Sequence, residues 1–75
     1  MKVTLYGATW CPACKVANEW LSENEIDFEY VNISTEENRE RFRKETGAAS
    51  VPVLSVDDKI EIGFNPDKFK ELLKI

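Results

Sequence analysis

Seventy-five residues, 43% of them hydrophobic and 32% charged, suit one globular domain over residues 1–75 and leave no room for two cores. A net charge of −4 argues against nucleic acid as a partner, because phosphate binding needs a basic stripe. No apolar run approaches the roughly 20 residues of a membrane span, and none resembles a signal peptide, so a cytoplasmic address and no membrane partner are expected. Two cysteines and no histidine narrow the chemistry further. Cys/His and Ser/His catalytic pairs are ruled out. One Cys-x-x-Cys supplies two of the four ligands that a structural zinc needs, so no metal site is expected. Nor do two cysteines make the disulfide scaffold of a small secreted domain. A redox pair, or two unrelated cysteines, is what remains.

In chain order, Lys2 to Tyr6 alternates polar and apolar residues with Val3 and Leu5 on one face, a strand pattern. Gly7 to Trp10 reads as a loop that ends at Cys11-Pro12, with proline at the favoured first turn of a helix. Ala13, Val16, Ala17, Trp20 and Leu21 then recur at helical spacing until Asn24 offers a stop, and Trp20 reads as core or core-edge packing. Ile26 to Ile33 alternates again and predicts a second strand. Ser34-Thr35-Glu36-Glu37 matches a capping box with Ser34 as the cap, opening a helix that ends near Gly47. Phe42 is the only large apolar residue of that helix, which places it outside the main core. Arg39, Arg41 and Arg43 lie among Glu36, Glu37, Glu40 and Glu45 and read as a solvated face.

The rhythm changes in the second half. Val51 to Val56 is a buried strand, Asp57-Asp58 a tight turn, and Lys59 to Phe64 the hairpin partner. Asn65-Pro66-Asp67 supplies a cap, a first-turn proline and an acid at the positive helix end. Phe69, Leu72 and Leu73 complete a final amphipathic helix. The order βαβ-α-ββα predicts an α/β fold with a four-stranded mixed sheet flanked by three helices.

Trp10-Cys11-Pro12-Ala13-Cys14 falls at the junction of the first strand and first helix, a specific setting for a redox Cys-x-x-Cys. Cys11 lies where backbone N–H groups lack helical partners and the macrodipole is positive, which favours its thiolate. Thiols in such settings fall from about 8.5 to about 3.5–7.5. Cys14, three residues on, is placed to attack a mixed disulfide on Cys11, and Lys15 adds a positive charge nearby. Trp10 either shields the pair and forms a flat partner surface or caps the core. Tyr6 and Thr9 flank the loop as minor candidates for substrate contact.

With W-C-P-A-C after the first strand, S-V-P before the third and G-F-N-P-D before the last helix, the whole chain resembles a glutaredoxin-like redoxin of the thioredoxin superfamily. The resemblance implies a thioredoxin fold and a thiol–disulfide oxidoreductase. It implies Cys11 and Cys14 as the catalytic dithiol and a cis peptide bond before Pro52. It further implies substrate contacts from Trp10, Pro12, Ser50, Val51, Pro52, Gly63, Phe64 and Asp67. The backbone of Val51 is expected to pair with an extended substrate or glutathione. No cofactor beyond the redox-active disulfide is implied, and disulfide-bearing proteins are the expected substrates of a monomer.

The electron donor is divided between two readings. Glutathione-dependent glutaredoxins commonly carry tyrosine where this chain has Ala13, and a second glycine where it has Phe64. Pro66 also withholds an N–H from a glutathione carboxylate. G-F-x-P-D instead resembles NrdH redoxins, which take electrons from thioredoxin reductase and pass them to a class I ribonucleotide reductase. The C-P-A-C motif departs from the usual NrdH C-V-Q-C, so glutathione stays open as reductant. The rivals are an iron–sulfur carrier and a non-enzymatic redox-sensing module.

Overall fold

The computed structural model describes residues Met1–Ile75. Strand β1 (Val3–Gly7) is buried along its whole length, because it pairs on both sides and is covered on both faces. Helix α1 (Pro12–Glu23) leads to β2 (Glu29–Asn32), α2 (Glu36–Thr46), β3 (Val53–Val56), β4 (Lys59–Ile62) and α3 (Pro66–Leu73). The sheet order is β2-β1-β3-β4. β1 runs parallel to β2, with Leu5 beside Tyr30 and Gly7 beside Asn32. β3 is antiparallel to both β1 and β4. The expected βαβ-α-ββα order and mixed sheet are both present.

Alternation along β1 assigns the two faces. Val3 and Leu5 pack with Ala17 and Leu21 of α1, Leu54 and Val56 of β3, and Phe69 and Leu73 of α3. Tyr6 turns the other way and packs with Val31, Phe42, Ala48 and Val53. Phe42 therefore lies outside the larger core, as expected from sequence, but it is buried in a second, smaller core on the opposite face. Two helices crowd the first face, so α2 alone seals the second. Its single phenyl ring meets the Tyr6 ring at 5.3 Å and so suffices.

Local signals set most boundaries. Asn24 ends α1, its side-chain amide donating to the Trp20 carbonyl at 2.8 Å. Gly47 ends α2 at φ 67°, a left-handed conformation that glycine adopts without a Cβ penalty. The cap of α2 is Thr35, whose hydroxyl accepts from Asn38 N–H at 3.2 Å. Ser34, the expected cap, instead donates its N–H to the Asn32 side chain at 3.0 Å and belongs to the preceding turn. Strand β2 starts at Glu29, later than expected, because Ile26 and Phe28 pack against the first core from the loop. Strand β3 starts at Val53 and β4 ends at Ile62, both shorter than the apolar runs suggested.

The arginine run is exposed, apart from Arg41, which ties α2 to β2. Its guanidinium bonds Glu29 at 3.0 and 3.1 Å and Glu45 at 3.0 Å. The guanidinium holds the Glu29 carboxyl below its ordinary range. Glu45 is held low first by the Tyr6 hydroxyl, which donates to it, and then by Arg41. Burial and Glu45 together push the Tyr6 phenol up to about 12.

Candidate active site

Ala8, Thr9 and Trp10 carry the chain from β1 into α1, where Cys11 is the N-cap. Ser, Thr, Asn or Asp normally fills such a position with an oxygen that accepts from the first turn. Here the Cys11 sulfur does so, accepting from the Cys14 N–H at 3.2 Å. Pro12 follows at the first helical position, where its missing N–H leaves nothing unpaired. One sulfur is thus held at the end of the helix where the dipole favours negative charge.

The second sulfur lies in a different environment. Cys14 is 0% exposed, against 9% for Cys11. Burial, reinforced by the adjacent Cys11 sulfur, pushes the Cys14 thiol from 9.0 up to about 12. Both cysteines are free thiols here. One chain turn therefore separates a cysteine that keeps slight exposure at the helix start from a fully buried one that keeps its proton at neutral pH.

Residues 50–52 form the facing wall. The Val51–Pro52 bond is cis. The Val51 carbonyl oxygen is 4.0 Å from Cys11 Sγ, and Val51 packs with Ile33 against Ala8, Cys11 and Cys14. The Pro52 carbonyl accepts from Gly63 N–H at 2.7 Å, which ties the start of the β4–α3 loop to this wall. Trp10 is 71% exposed beside Cys11 and so presents a flat surface rather than capping the core. Pro12 and Ser50 are exposed at the rim.

Two further expected contact residues, Phe64 and Asp67, flank the start of α3. The Phe64 ring packs 6.4 Å from Trp20 and 5.5 Å from Phe69, turned into the first core. Asp67 is exposed in the first turn of α3. At that helix start Pro66 has no N–H, and the Lys68 N–H is already bonded to Asn65 Oδ1 at 3.2 Å. Tyr6 is buried in the second core with its hydroxyl donating to Glu45, whereas Thr9 is exposed in the loop.

Sequence reasoning passed over Gly7 and Tyr30. A Cβ on Gly7 would stand 2.7 Å from the Tyr30 hydroxyl, 3.0 Å from Tyr30 Cε1 and 3.1 Å from Cys14 Cβ. Residue 7 is glycine because the tyrosine ring and the cysteine occupy the space above it. A glycine closing a strand just before the cysteine motif was the available signal. Alternation alone assigns Tyr30 a face, not a neighbour. Burial raises the Tyr30 phenol, and charge on Cys14 and Cys11 adds to the shift.

Comparison with known proteins fits this geometry. The glutaredoxin family model matches residues 3–61, from β1 into β4. The glutaredoxin-like protein NrdH of Lactococcus lactis subsp. lactis (strain IL1403) is 36% identical over 70 residues, covering 93% of this chain and 97% of that protein. The solved glutaredoxin of Archaeoglobus fulgidus superposes with a TM-score of 0.85 at 36% identity, covering 99% of this chain and 87% of its own. NrdH-redoxin of Escherichia coli does so with a TM-score of 0.81 at 29% identity, covering 96% and 95%. A family match over most of the chain, on a thioredoxin fold that ends its first strand at a Cys-x-x-Cys, places the protein in the glutaredoxin family, as a thiol–disulfide oxidoreductase.

Proposed function

We propose that Cys11 is the attacking thiol and Cys14 the resolving thiol of a dithiol reductase acting on protein disulfides. The carrying observation is the asymmetry of the pair: Cys11 caps the helix and keeps slight exposure, and Cys14 is fully buried and protonated. The Cys11 thiolate attacks a substrate disulfide, one substrate sulfur leaves as a thiolate, and a mixed disulfide forms. Cys14 then attacks Cys11 Sγ, releasing the second substrate sulfur and leaving the Cys11–Cys14 disulfide. The dithiol is oxidised by two electrons and the substrate disulfide is reduced by two. The Val51 main chain, 4.0 Å from Cys11, pairs with the extended substrate, and Trp10 offers it a flat apolar surface.

The start of α3 favours thioredoxin reductase over glutathione as electron donor. A γ-glutamyl carboxylate needs free N–H groups there, but Pro66 has none and Lys68 N–H is taken by Asn65. Asp67 adds a negative charge at the same place. The NrdH likeness supports the same donor, with ribonucleotide reductase as a downstream acceptor. The chain works as one monomeric domain in the cytoplasm, needing neither metal nor organic cofactor. No helix is long and apolar enough to cross a membrane.

Cysteine exchange combined with a two-donor assay tests this reading. Cys11→Ser is expected to abolish disulfide reduction, and Cys14→Ser to accumulate a mixed disulfide on Cys11. Parent protein is expected to turn over faster with NADPH and thioredoxin reductase than with glutathione and glutathione reductase. Trapping on Cys14 overturns the cysteine assignment, and preferred turnover with glutathione overturns the donor.

A further inference from the structure

Resolution of the mixed disulfide poses a proton problem that the two cysteines do not solve. Cys14 must lose its proton as it attacks, yet its side chain is fully buried. The chain contains no histidine, the side chain that ordinarily moves protons near neutral pH. Cys11 and the Ala8 backbone act on Cys14, and no carboxylate does. Lys15, next along α1, is exposed.

Tyr30 lies at the remaining approach. β1 and β2 are in parallel register with Tyr30 beside Leu5, so its ring runs along the sheet toward Gly7. There the phenol oxygen and Cys14 Cβ lie 2.7 and 3.1 Å from one common point above Gly7. Tyr30 is also 38% exposed, so the residue that borders the buried cysteine is open to water. The titratable groups acting on it are Cys14 and Cys11 alone. A phenol hydroxyl both donates and accepts, so it passes a proton on without ionising.

We propose that Tyr30 is the proton-relay residue of the resolving step. This rests on the assignment of Cys14 as the resolving thiol. As Cys14 Sγ attacks Cys11 Sγ, the Cys11–substrate S–S bond breaks and the Cys11–Cys14 bond forms. The departing substrate sulfur takes the electron pair. The Cys14 proton passes through one bridging water to the Tyr30 oxygen, while the Tyr30 hydroxyl proton passes to solvent. Gly7 belongs to the device, since any side chain there displaces the phenol.

A chromogenic aromatic disulfide separates the two steps, because the reduced protein releases one coloured thiol when Cys11 is modified and a second when Cys14 resolves. Tyr30→Phe keeps the ring over Gly7 and removes only the hydroxyl. The first release is expected to stay within twofold of parent. The second is expected to slow about tenfold or more at pH 7, with the deficit narrowing as pH rises or as imidazole buffer is added as a substitute proton carrier. A second phase within twofold of parent overturns the proposal. A slowed second phase insensitive to both pH and imidazole also overturns it, because that is the mark of altered packing. Tyr30→Leu, with thermal unfolding measured alongside, shows how much of any loss belongs to the ring. Failure of the cysteine assignment is visible separately, as the absence of a second release from the parent protein.

Discussion

In a Cys11→Ser variant, Cys14 is the only thiol, and serine keeps the helix capped because it is itself a preferred N-cap. The displacement of Cys14 from 9.0 to about 12 corresponds to about a thousandfold less thiolate at neutral pH, at tenfold per unit. Burial is the leading cause and survives the substitution, whereas the contribution of the Cys11 sulfur does not. Alkylation of folded Cys14 is therefore expected to run at least about a hundredfold slower than in denaturant at pH 7.5. The assay is iodoacetamide labelling read by mass spectrometry from pH 7 to pH 10.5. In denaturant the rate levels off near the ordinary thiol value. In the folded protein it continues to climb about tenfold per pH unit through pH 10. A folded-state rate that levels off near pH 9 refutes the argument, because the protection is then steric and the thiol ordinary. The outcome bears on mechanism: a resolving thiol that stays protonated does not compete with Cys11 for incoming disulfides.

Phe42→Ala empties the centre of the second core and is expected to cost about 3–5 kcal/mol in urea unfolding. Such a loss leaves a chain of this size close to unfolding, and a loss under about 1 kcal/mol means that α2 does not seal that face. Alkaline stability follows from Cys14 and Tyr6, whose folded-state values are raised from 9.0 and 10.0, each to about 12. The folded state keeps protons that the unfolded state releases, so their contribution is intact below pH 9 and lost progressively toward pH 12. The thermal midpoint of reduced protein is expected to fall over that window, with the earliest part of the fall absent in Cys14→Ala. A midpoint unchanged to pH 11 contradicts this. Pro66→Ala restores one N–H at the start of α3. A hydrogen bond to a charged carboxylate is worth about 1.5–3 kcal/mol, so glutathione-dependent kcat/KM is expected to rise roughly ten- to a hundredfold. The thioredoxin reductase rate should not change. No rise with glutathione removes the helix start as the determinant of donor choice.

Features that depend on residues a few positions apart are legible without the fold. Cys11-Pro12 at the helix start, Asn24 at its end, the Asp57-Asp58 turn and the Asn65-Pro66 cap each act through their own neighbours, and all are found where they were expected. The pairing of the cysteines is local in the same sense, since a three-residue spacing on a first helical turn brings the Cys14 N–H to the Cys11 sulfur. The wall opposite them is another matter. Alone, Pro52 reads as a proline at a strand start; the family resemblance supplied its cis bond, and the folded chain brings Val51 to 4.0 Å from Cys11. Phe42, Phe64 and Tyr30 look alike as aromatic residues in alternating or helical patterns. Tertiary structure alone decided that the first seals the second core, the second joins Trp20 and Phe69, and the third covers Gly7 beside Cys14. The reason is geometric: periodicity sets the face from which a side chain projects. What it meets there depends on strands and helices distant in sequence, whose placement follows from closing the sheet and filling both cores.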